Sequence, residues 1–382
     1  MIKVGITGQP GFVGTHLYNT LGLHPEKYER IPFEDSFFGD SSRFNEFVSY
    51  CDVIVHLAAV NRHNEPDFIY KTNIGLVNQL IAAMEQTVST PHVLFSSSTQ
   101  EERDNIYGKS KREGRELFEK WAVRNNARFT GLVIPNVFGP FGNPYYNSVV
   151  ATFCHQLSHD ETPKIEIDGE IKLIYVSELV EEIFARIDQM QHIPHGEAAV
   201  EQVNVPHTSQ IKVSDLLNLL KEIKTNYFER GEIPALDNSF KRNLFNTFLT
   251  YIDHKSFFPF KLKLNTDQRG SFVETVKLNS GGQISFSTTV PGITRGNHFH
   301  TRKSERFAVI KGKALIELRR IGTSEVLSFE LDGKEPSFVD MPVWYTHNIK
   351  NTGNEDLYTI FWINEHFNAG DPDTFFESVS GN

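Results

Sequence analysis

The chain has 382 residues, apolar side chains at 39% of its positions and a net charge of −10. That length predicts more than one domain, and the composition is typical of a folded globular protein rather than a disordered one. Few cysteines, no basic block, no long apolar run and no leader pattern argue against a disulfide framework, nucleic-acid binding and membrane insertion, and we expect a cytoplasmic protein.

The first 190 residues alternate between strand patterns and helix patterns. Strands are predicted at residues 3–7, 28–33, 52–59, 92–97, 129–135 and 171–176. Helices are predicted at residues 11–23, 74–84 and 107–124, and a further helix is predicted with Ser177 as its N-cap. This alternation predicts an α/β domain in which a doubly wound parallel sheet carries helices on both faces.

Three glycines stand at the first strand-to-helix turn, in the segment Thr7–Gly14. Gly8 permits a tight turn, Gly11 lets the backbone approach a pyrophosphate, and Gly14 allows the helix to pack closely on the strand. The helix N-terminus adds free N–H groups for an anion. The segment therefore predicts a Rossmann-like domain that binds a dinucleotide.

The end of the second strand discriminates between the two nicotinamide cofactors. Glu34 and Asp35 follow this strand, and an acid there favours the free ribose hydroxyl of NADH over the 2′-phosphate of NADPH. Arg30 lies close by and would favour the phosphate. The choice between the cofactors stays open at this point.

Tyr107 and Lys111 are four residues apart near the start of a predicted helix, and therefore lie on one face. A lysine ammonium in that position would lower the pKa of the tyrosine hydroxyl and make it a usable acid near neutral pH. The strand before this helix ends in three serines that could bond to a substrate carbonyl. Tyr251 and Lys255 repeat the spacing without such serines, which favours a structural role for them.

The N-terminal part resembles the extended short-chain dehydrogenase/reductases that act on nucleotide sugars. The matching segments are 7–14, 56–59, 95–98, 107–111, 135–140 and 175–178. The resemblance implies that Ser98, Tyr107 and Lys111 are catalytic. It implies that the cofactor is bound by Thr7, Gly8, Gly11, Phe12, Val13, Gly14, Leu57, Ala58 and Asn136, together with Tyr107 and Lys111. The loop between Ser98 and Tyr107 is shorter than is usual in that family.

From about residue 259 onward the sequence reads as short strands separated by glycine and asparagine turns. This pattern predicts an all-β sandwich or barrel, with residues 244–260 as the connection to it. We place a reductase-type domain at residues 1–245 and the β domain at residues 255–382.

Three histidines and a glutamate in the β domain form a metal-ligand pattern. His298 and His300 share a face of a strand, Glu305 begins the next strand, and His347 follows Trp344. This donor set suits zinc, manganese, iron or nickel. The spacing resembles the two motifs of the cupin jelly-roll family, with Trp344 in place of a glycine. Related metal-free sugar epimerases instead use a histidine as a base, which implies His298 as the catalytic base.

The pairing of the two domains resembles the family of capsular polysaccharide synthesis enzyme F. The resemblance implies a zinc-dependent cupin that epimerises C3 of a UDP-4-keto-6-deoxy-N-acetylhexosamine, and a reductase domain that reduces C4 with NADPH. The product would be UDP-2-acetamido-2,6-dideoxy-β-L-talose, on the route to UDP-N-acetyl-L-fucosamine, and the enzyme would be a homodimer. Two alternatives are an NAD(P)-dependent dehydratase or epimerase with a sugar-binding cupin, and a non-catalytic sensor.

Overall fold

The computed structural model describes residues 1–192 and 197–381. The chain forms two compact units. The first comprises Met1–Phe138, Gly142–Thr152 and Glu170–Ile211, and the second comprises Gly139–Phe141, Phe153–Gly169 and Lys212–Asn382. Because the units interleave along the chain, the domain limits at residues 245 and 255 stay a prediction.

The strands and the helices are numbered separately, each in chain order. The strands are β1 Ile2–Thr7, β2 Tyr28–Ile31, β3 Val53–His56, β4 His92–Ser98, β5 Arg128–Ile134, β6 Asn136–Phe138, β7 Glu170–Tyr175, β8 Ala199–Asn204, β9 Ser209–Lys212, β10 Glu232–Ile233, β11 Phe260–Lys261, β12 Leu264–Asp267, β13 Gly270–Val273, β14 Lys277–Leu278, β15 Gln283–Thr289, β16 Thr294–Phe299, β17 Glu305–Lys311, β18 Lys313–Arg320, β19 Val326–Asp332, β20 Ser337–Met341, β21 Tyr345–Asn351, β22 Leu357–Ile363 and β23 Phe375–Phe376. The helices are α1 Phe12–Leu21, α2 Ser41–Tyr50, α3 Pro66–Gln86, α4 Ile106–Arg124, α5 Val149–Ser158, α6 Val176–Gln191, α7 Val213–Lys224, α8 Ser239–Leu249 and α9 His254–Phe257. Among residues 1–192 and 197–381, no helix has the length and apolarity needed to cross a bilayer.

A parallel sheet organises the first unit, with its strands in the order β2-β1-β3-β4-β5-β8. Apolar residues of α1 and α6 pack on one face, and those of α2, α3 and α4 pack on the other. The predicted doubly wound sheet is therefore confirmed. The strand order reverses at β1, so the loops after β1 and β3 border one crevice at the carboxyl ends of the strands.

Several predicted element limits differ from the structure. The helix predicted to be capped by Ser177 begins at Val176, and the Glu178 carboxylate accepts the N–H of Tyr175 at 3.0 Å. The second strand ends at Ile31, because Phe33 turns into the core beside α2. The predicted connection at residues 244–260 is largely helical, and Leu244–Leu249 at the end of α8 are all buried.

The second unit contains two five-stranded antiparallel sheets. One sheet has the order β11-β20-β17-β22-β15, and the other has the order β19-β18-β21-β16-β23. Buried apolar side chains of β17, β18, β20 and β21 form a shared core with those of β19 and β22. The predicted jelly-roll type of all-β domain is confirmed, and the four predicted metal ligands come from strands or strand ends of both sheets.

Candidate functional site

A cleft of about 770 Å³ opens at the carboxyl ends of β1, β3 and β4 in the first unit. Most of the residues predicted to bind the cofactor line it. They are Gly8, Gly11, Phe12, Val13, Gly14, Leu57, Ala58, Asn136, Tyr107 and Lys111, and Ser98 lines it as well. Thr7 lies beneath the loop instead, where its hydroxyl is bonded to Nδ1 of the buried His56 at 2.8 Å.

The glycine loop has the shape that a pyrophosphate requires. Gly8 has a φ of +74°, and a Cβ there would lie 2.8 Å from the backbone nitrogen of Ala58. A Cβ at Gly14 would lie 2.4 Å from the carbonyl oxygen of Gly8, whereas one at Gly11 meets only that oxygen, at 3.1 Å. Gly11 also leaves the first turn of α1 without a side-chain cap, so its N–H groups are available to an anion. The loop therefore fits a dinucleotide.

The acids after β2 differ in their position relative to the cleft. Asp35 lines it, whereas Glu34 is not among the lining residues and accepts a hydrogen bond from the hydroxyl of Ser36 at 3.2 Å. Arg30 stacks on the ring of Tyr18 at 4.4 Å and donates to the Tyr18 carbonyl at 3.3 Å. Asp35 is therefore the charged group of this segment that borders the cleft.

Ser98, Tyr107 and Lys111 all line this cleft. The Ser98 hydroxyl accepts the N–H of Gln100 at 3.2 Å, and the ammonium of Lys111 lies 5.0 Å from the ring centre of Phe95 and 5.7 Å from that of Tyr107. Burial lowers the pKa of Lys111 to about 7, against the opposing charge of Glu101. Burial also raises the pKa of Tyr107, so the predicted lowering of this pKa by Lys111 is wrong for this structure.

The short loop between Ser98 and Tyr107 is held by an ion pair that the sequence analysis missed. The loop folds as a 3₁₀ turn, Thr99–Glu102, and the buried Glu101 pairs with Arg115 of α4 at 2.9 Å while it accepts a hydrogen bond from Ser97. Gly108 packs against this turn, since a Cβ there would lie 1.9 Å from the carbonyl oxygen of Gln100. The glycine directly after Tyr107 was the signal in the sequence for this close contact.

Two further residues connect the walls of the cleft. Asn73 of α3 is buried, accepts the N–H of Val60 at 2.7 Å and donates to the Ser110 hydroxyl of α4 at 3.0 Å. Tyr146 lines the cleft, and its hydroxyl accepts the N–H of Asn61 at 3.2 Å. Asn73 stands in no local motif, so sequence spacing gave no signal for it.

His298, His300, Glu305 and His347 converge in the second unit, as the sequence predicts. Their ligand atoms all lie within 4.8 Å of one another. Nε2 of His347 lies 3.1 Å from Oε2 of Glu305, and Nε2 of His300 lies 3.5 Å from the same oxygen. His300, Glu305 and His347 are buried, and His298 is partly exposed.

The hydrogen bonds of the imidazoles show which nitrogens face the centre of this cluster. Nδ1 of His347 donates to the Tyr345 carbonyl at 3.1 Å, and Nδ1 of His300 donates to the carbonyl of Asp373. In the neutral rings Nε2 then carries a lone pair, and both lone pairs face the Glu305 carboxylate with no hydrogen-bond partner among the described residues. Three acceptors that converge in a buried space repel one another unless a cation lies between them, so the donor set fits a divalent metal ion.

The Glu305 carboxylate favours positive charge beside it, since its hydrogen bond and its charge raise the pKa of His300 against the effect of burial. Burial alone would raise the pKa of Glu305, but the imidazoles of His300 and His347 outweigh it and hold this pKa below its usual range. Burial lowers the pKa of His298 to about 4, and the two neighbouring imidazoles act in the same direction. His298 is therefore an uncharged imidazole at neutral pH, the form that binds a metal or accepts a proton.

Comparisons with known proteins agree with both halves of this description. Residues 4–205 match the NAD dependent epimerase/dehydratase family, and residues 265–375 match the polysaccharide biosynthesis C-terminal domain. UDP-2-acetamido-2,6-beta-L-arabino-hexul-4-ose reductase of Pseudomonas aeruginosa is 34% identical, with 99% of each chain covered. The spore coat polysaccharide biosynthesis protein SpsL of Bacillus subtilis is 26% identical over 30% of this chain and 82% of its own length.

A solved structure extends the likeness to the whole fold. The capsular polysaccharide assembling protein CapF of Staphylococcus aureus is 33% identical, with a TM-score of 0.61, over 99% of this chain and 100% of its own. The chain therefore belongs to the NAD dependent epimerase/dehydratase family and is a CapF-like bifunctional protein, an NAD(P)H-dependent reductase joined to an epimerase.

Proposed function

We propose that the protein acts twice on one UDP-linked 4-keto-6-deoxy-N-acetylhexosamine, first as a C3 epimerase and then as a C4 reductase. The product is UDP-2-acetamido-2,6-dideoxy-β-L-talose, a precursor of UDP-N-acetyl-L-fucosamine for surface polysaccharide. Support comes from the substrate in the name of the Pseudomonas aeruginosa relative. The observation that carries the proposal is that each unit holds a constellation suited to the same functional group, the C4 ketone.

In the reductase unit, the chain positions the ketone and supplies a proton. Ser98 lines the cleft with its hydroxyl beside the turn that follows β4, where it bonds to the ketone oxygen. Tyr107 delivers a proton to that oxygen, and the high pKa that burial gives its hydroxyl keeps it protonated at neutral pH. Lys111 holds the cofactor ribose. NADPH or NADH, bound along the glycine loop, supplies the hydride to C4.

In the epimerase unit, the chain removes the C3 proton from one face of the sugar, and C3 takes up a proton from water on the opposite face. The ketone makes this proton acidic, and His298, an uncharged and partly exposed imidazole, is the proposed base. His300, Glu305 and His347 would hold the metal ion, for which we propose zinc because two imidazole nitrogens and a carboxylate suit it. A divalent cation there supplies positive charge next to the ketone.

A single deuterium experiment separates the two activities. Wild-type protein is incubated with the UDP-4-keto sugar in deuterated water without a nicotinamide, and C3–H is followed by NMR. We expect exchange in the wild type and in Tyr107→Phe, and its loss in His347→Ala together with a loss of metal measured by ICP-MS. With NAD(P)H present, Tyr107→Phe should lose 10²-fold or more in the rate of cofactor oxidation while still binding the cofactor.

Two outcomes would contradict the proposal. A wild-type product without deuterium at C3 would mean direct reduction without epimerisation, and the cupin would then only bind sugar. A Tyr107→Phe variant that keeps more than a few per cent of wild-type kcat would contradict the assignment of Tyr107 as the proton donor.

We also propose that the protein is a homodimer. Sedimentation of the full chain measures its oligomeric state directly.

A further inference from the structure

Strand β15 in the second unit has its polar and apolar faces reversed relative to an ordinary surface strand. Ile284 and Phe286 point outward and are 54% and 72% exposed, whereas Gln283, Ser285 and Ser287 alternate with them and are half-buried. Burying polar side chains while apolar ones face solvent costs free energy. Folding stability alone therefore does not explain why the polar side chains of β15 are half-buried.

The strand register places the polar side chains of β15 on the same face of the sheet as Glu305 of the predicted metal-ligand cluster. Residues directly opposite each other on paired strands share a face. The rows across β17, β22 and β15 are Glu305–Ile363–Gln283, Phe307–Phe361–Ser285 and Val309–Thr359–Ser287. Since Glu305 faces the histidines and the Phe307 ring lies 6.1 Å from that of His347, the inward face of β15 belongs to the same space between the sheets.

The hydrogen bonds of the polar side chains on β15 and β22 leave hydroxyl protons available to donate. Nε2 of Gln283 donates to the Ser285 hydroxyl at 3.3 Å, and Oε1 of Gln283 accepts the N–H of Phe367 at 3.2 Å. Gln283 is thus held by two hydrogen bonds, and because Ser285 accepts in one of them, its own hydroxyl proton remains available to donate. The Thr359 side chain is 2% exposed, and its hydroxyl has no partner among the described residues. An unpaired buried hydroxyl destabilises the fold, and this is tolerated where a ligand or water binds the hydroxyl.

The distance between Glu305 and the polar side chains of β15 is comparable to the width of one sugar residue. Two strand intervals of roughly 4.8 Å separate the backbone of Glu305 from that of Gln283, so the row lies about 10 Å from the carboxylate strand. Side chains extend inward from both ends of that span. Ile363 and Phe361 lie between the two ends of these rows, so a hexose whose ketone faces the cluster would cross their side chains to reach β15.

We propose that Ser285, Ser287 and Thr359, with Gln283 orienting Ser285, form a polar wall that binds the hydroxyl and acetamido substituents of the 4-keto sugar in the epimerase unit. This inference rests on the proposed function, since it specifies how the same site holds its substrate. Sugar hydroxyls and an acetamide both offer acceptors to serine and threonine protons.

The test measures the substrate dependence of C3–H exchange in Ser285→Ala and Thr359→Val. The matched control is Thr288→Val, since Thr288 is on the same strand, carries the same chemistry and faces outward. We expect KM for exchange to rise about tenfold in each wall variant and to stay unchanged in the control, with the metal content of all proteins equal. Thr359→Val should melt at the same or a higher temperature than the wild type, because it removes an unpaired buried hydroxyl.

The outcomes distinguish this inference from the function on which it rests. If the wild type exchanges C3–H and both wall variants exchange it with wild-type KM, the polar wall does not contact the sugar. A rise in KM that is matched by loss of metal or by a lower melting temperature in both variants would show a structural role instead. If the wild type does not exchange C3–H at all, the proposed epimerase function fails.

Discussion

The backbone carbonyl of Asp373 accepts a hydrogen bond from Nδ1 of His300, although 73 residues separate them in the chain. The carboxylate of Asp373 accepts from the N–H of Thr301 at 3.1 Å and from its hydroxyl at 2.6 Å. It also accepts the N–H groups of Arg302 and Lys303, at 3.1 Å each. One buried residue, Asp373, therefore holds the loop between two predicted metal ligands and fixes the tautomer of His300.

Asp373→Ala should weaken metal binding about tenfold or more, because the loop that carries His300 loses its anchor. The metal dissociation constant is measured by competition with a chromophoric chelator, and the rise in melting temperature on metal addition should shrink in parallel. Asp332→Ala is the matched control, since Asp332 accepts the N–H of Lys334 in a surface turn of the same unit. A folded Asp373→Ala protein with wild-type metal affinity would contradict this prediction.

Gly108→Ala should lower kcat for NAD(P)H oxidation at least tenfold. The new Cβ would lie 1.9 Å from the Gln100 carbonyl oxygen, so the turn must move, and with it the N–H that Ser98 accepts. Overpacking of this kind also costs about 1–3 kcal/mol of stability. The control is Gly75→Ala in α3, where a Cβ meets nothing within 4 Å and the substitution should stabilise the helix by up to about 1 kcal/mol. Equal kcat values in the two variants would refute the close-contact argument.

Lys111→Met should change how stability depends on pH. The pKa of Lys111 is about 7 in the folded protein and about 10.4 in an unfolded chain, so between these values the unfolded state binds the extra proton. The free energy of unfolding of the wild type should then rise with pH, relative to Lys111→Met, by up to about 1.4 kcal/mol per pH unit above pH 7.

Below pH 7 Lys111 is charged in both states, the cost of its burial is fully present, and Lys111→Met should be the more stable protein. Urea denaturation at pH 6, 7, 8 and 9 measures the difference. Groups near Lys111, such as Glu101 and the buried His56, remain in both proteins. Parallel pH profiles for the two proteins would show that Lys111 does not lose its charge in this window.

Asp35→Asn should shift cofactor preference toward NADPH about tenfold in kcat/KM, because it removes the negative charge that borders the cleft beside the ribose site. In the wild type we expect NADH to be used at least as well as NADPH. Glu34→Gln is the matched control, since Glu34 is the neighbouring acid and bonds to Ser36 instead. A larger effect in Glu34→Gln than in Asp35→Asn, or a strong preference of the wild type for NADPH, would refute this assignment.

The sequence by itself determined those parts of the protein whose geometry is local. The Thr7–Gly14 loop, the Tyr107–Lys111 pair and the His298–His300 pair each depend on a fixed spacing within one turn, helix or strand, so their chemistry is legible without the fold. The alternation of strands and helices determined the doubly wound sheet in the same way, and short strands with turns determined the β domain.

The tertiary structure alone decided contacts between residues far apart in the chain. Strand pairing brings Nε2 of His347 next to the Glu305 carboxylate, and the fold places the Asp373 carbonyl where it accepts a hydrogen bond from His300. The buried Glu101 pairs with Arg115 because α4 packs against the turn that carries Glu101. The register of β15 with β22 determines which side chains of β15 face inward. Periodicity within one segment cannot report such contacts, because their energy comes from partners that the segment does not contain. For the same reason spacing misjudged the pKa of Tyr107, which burial by the surrounding fold controls.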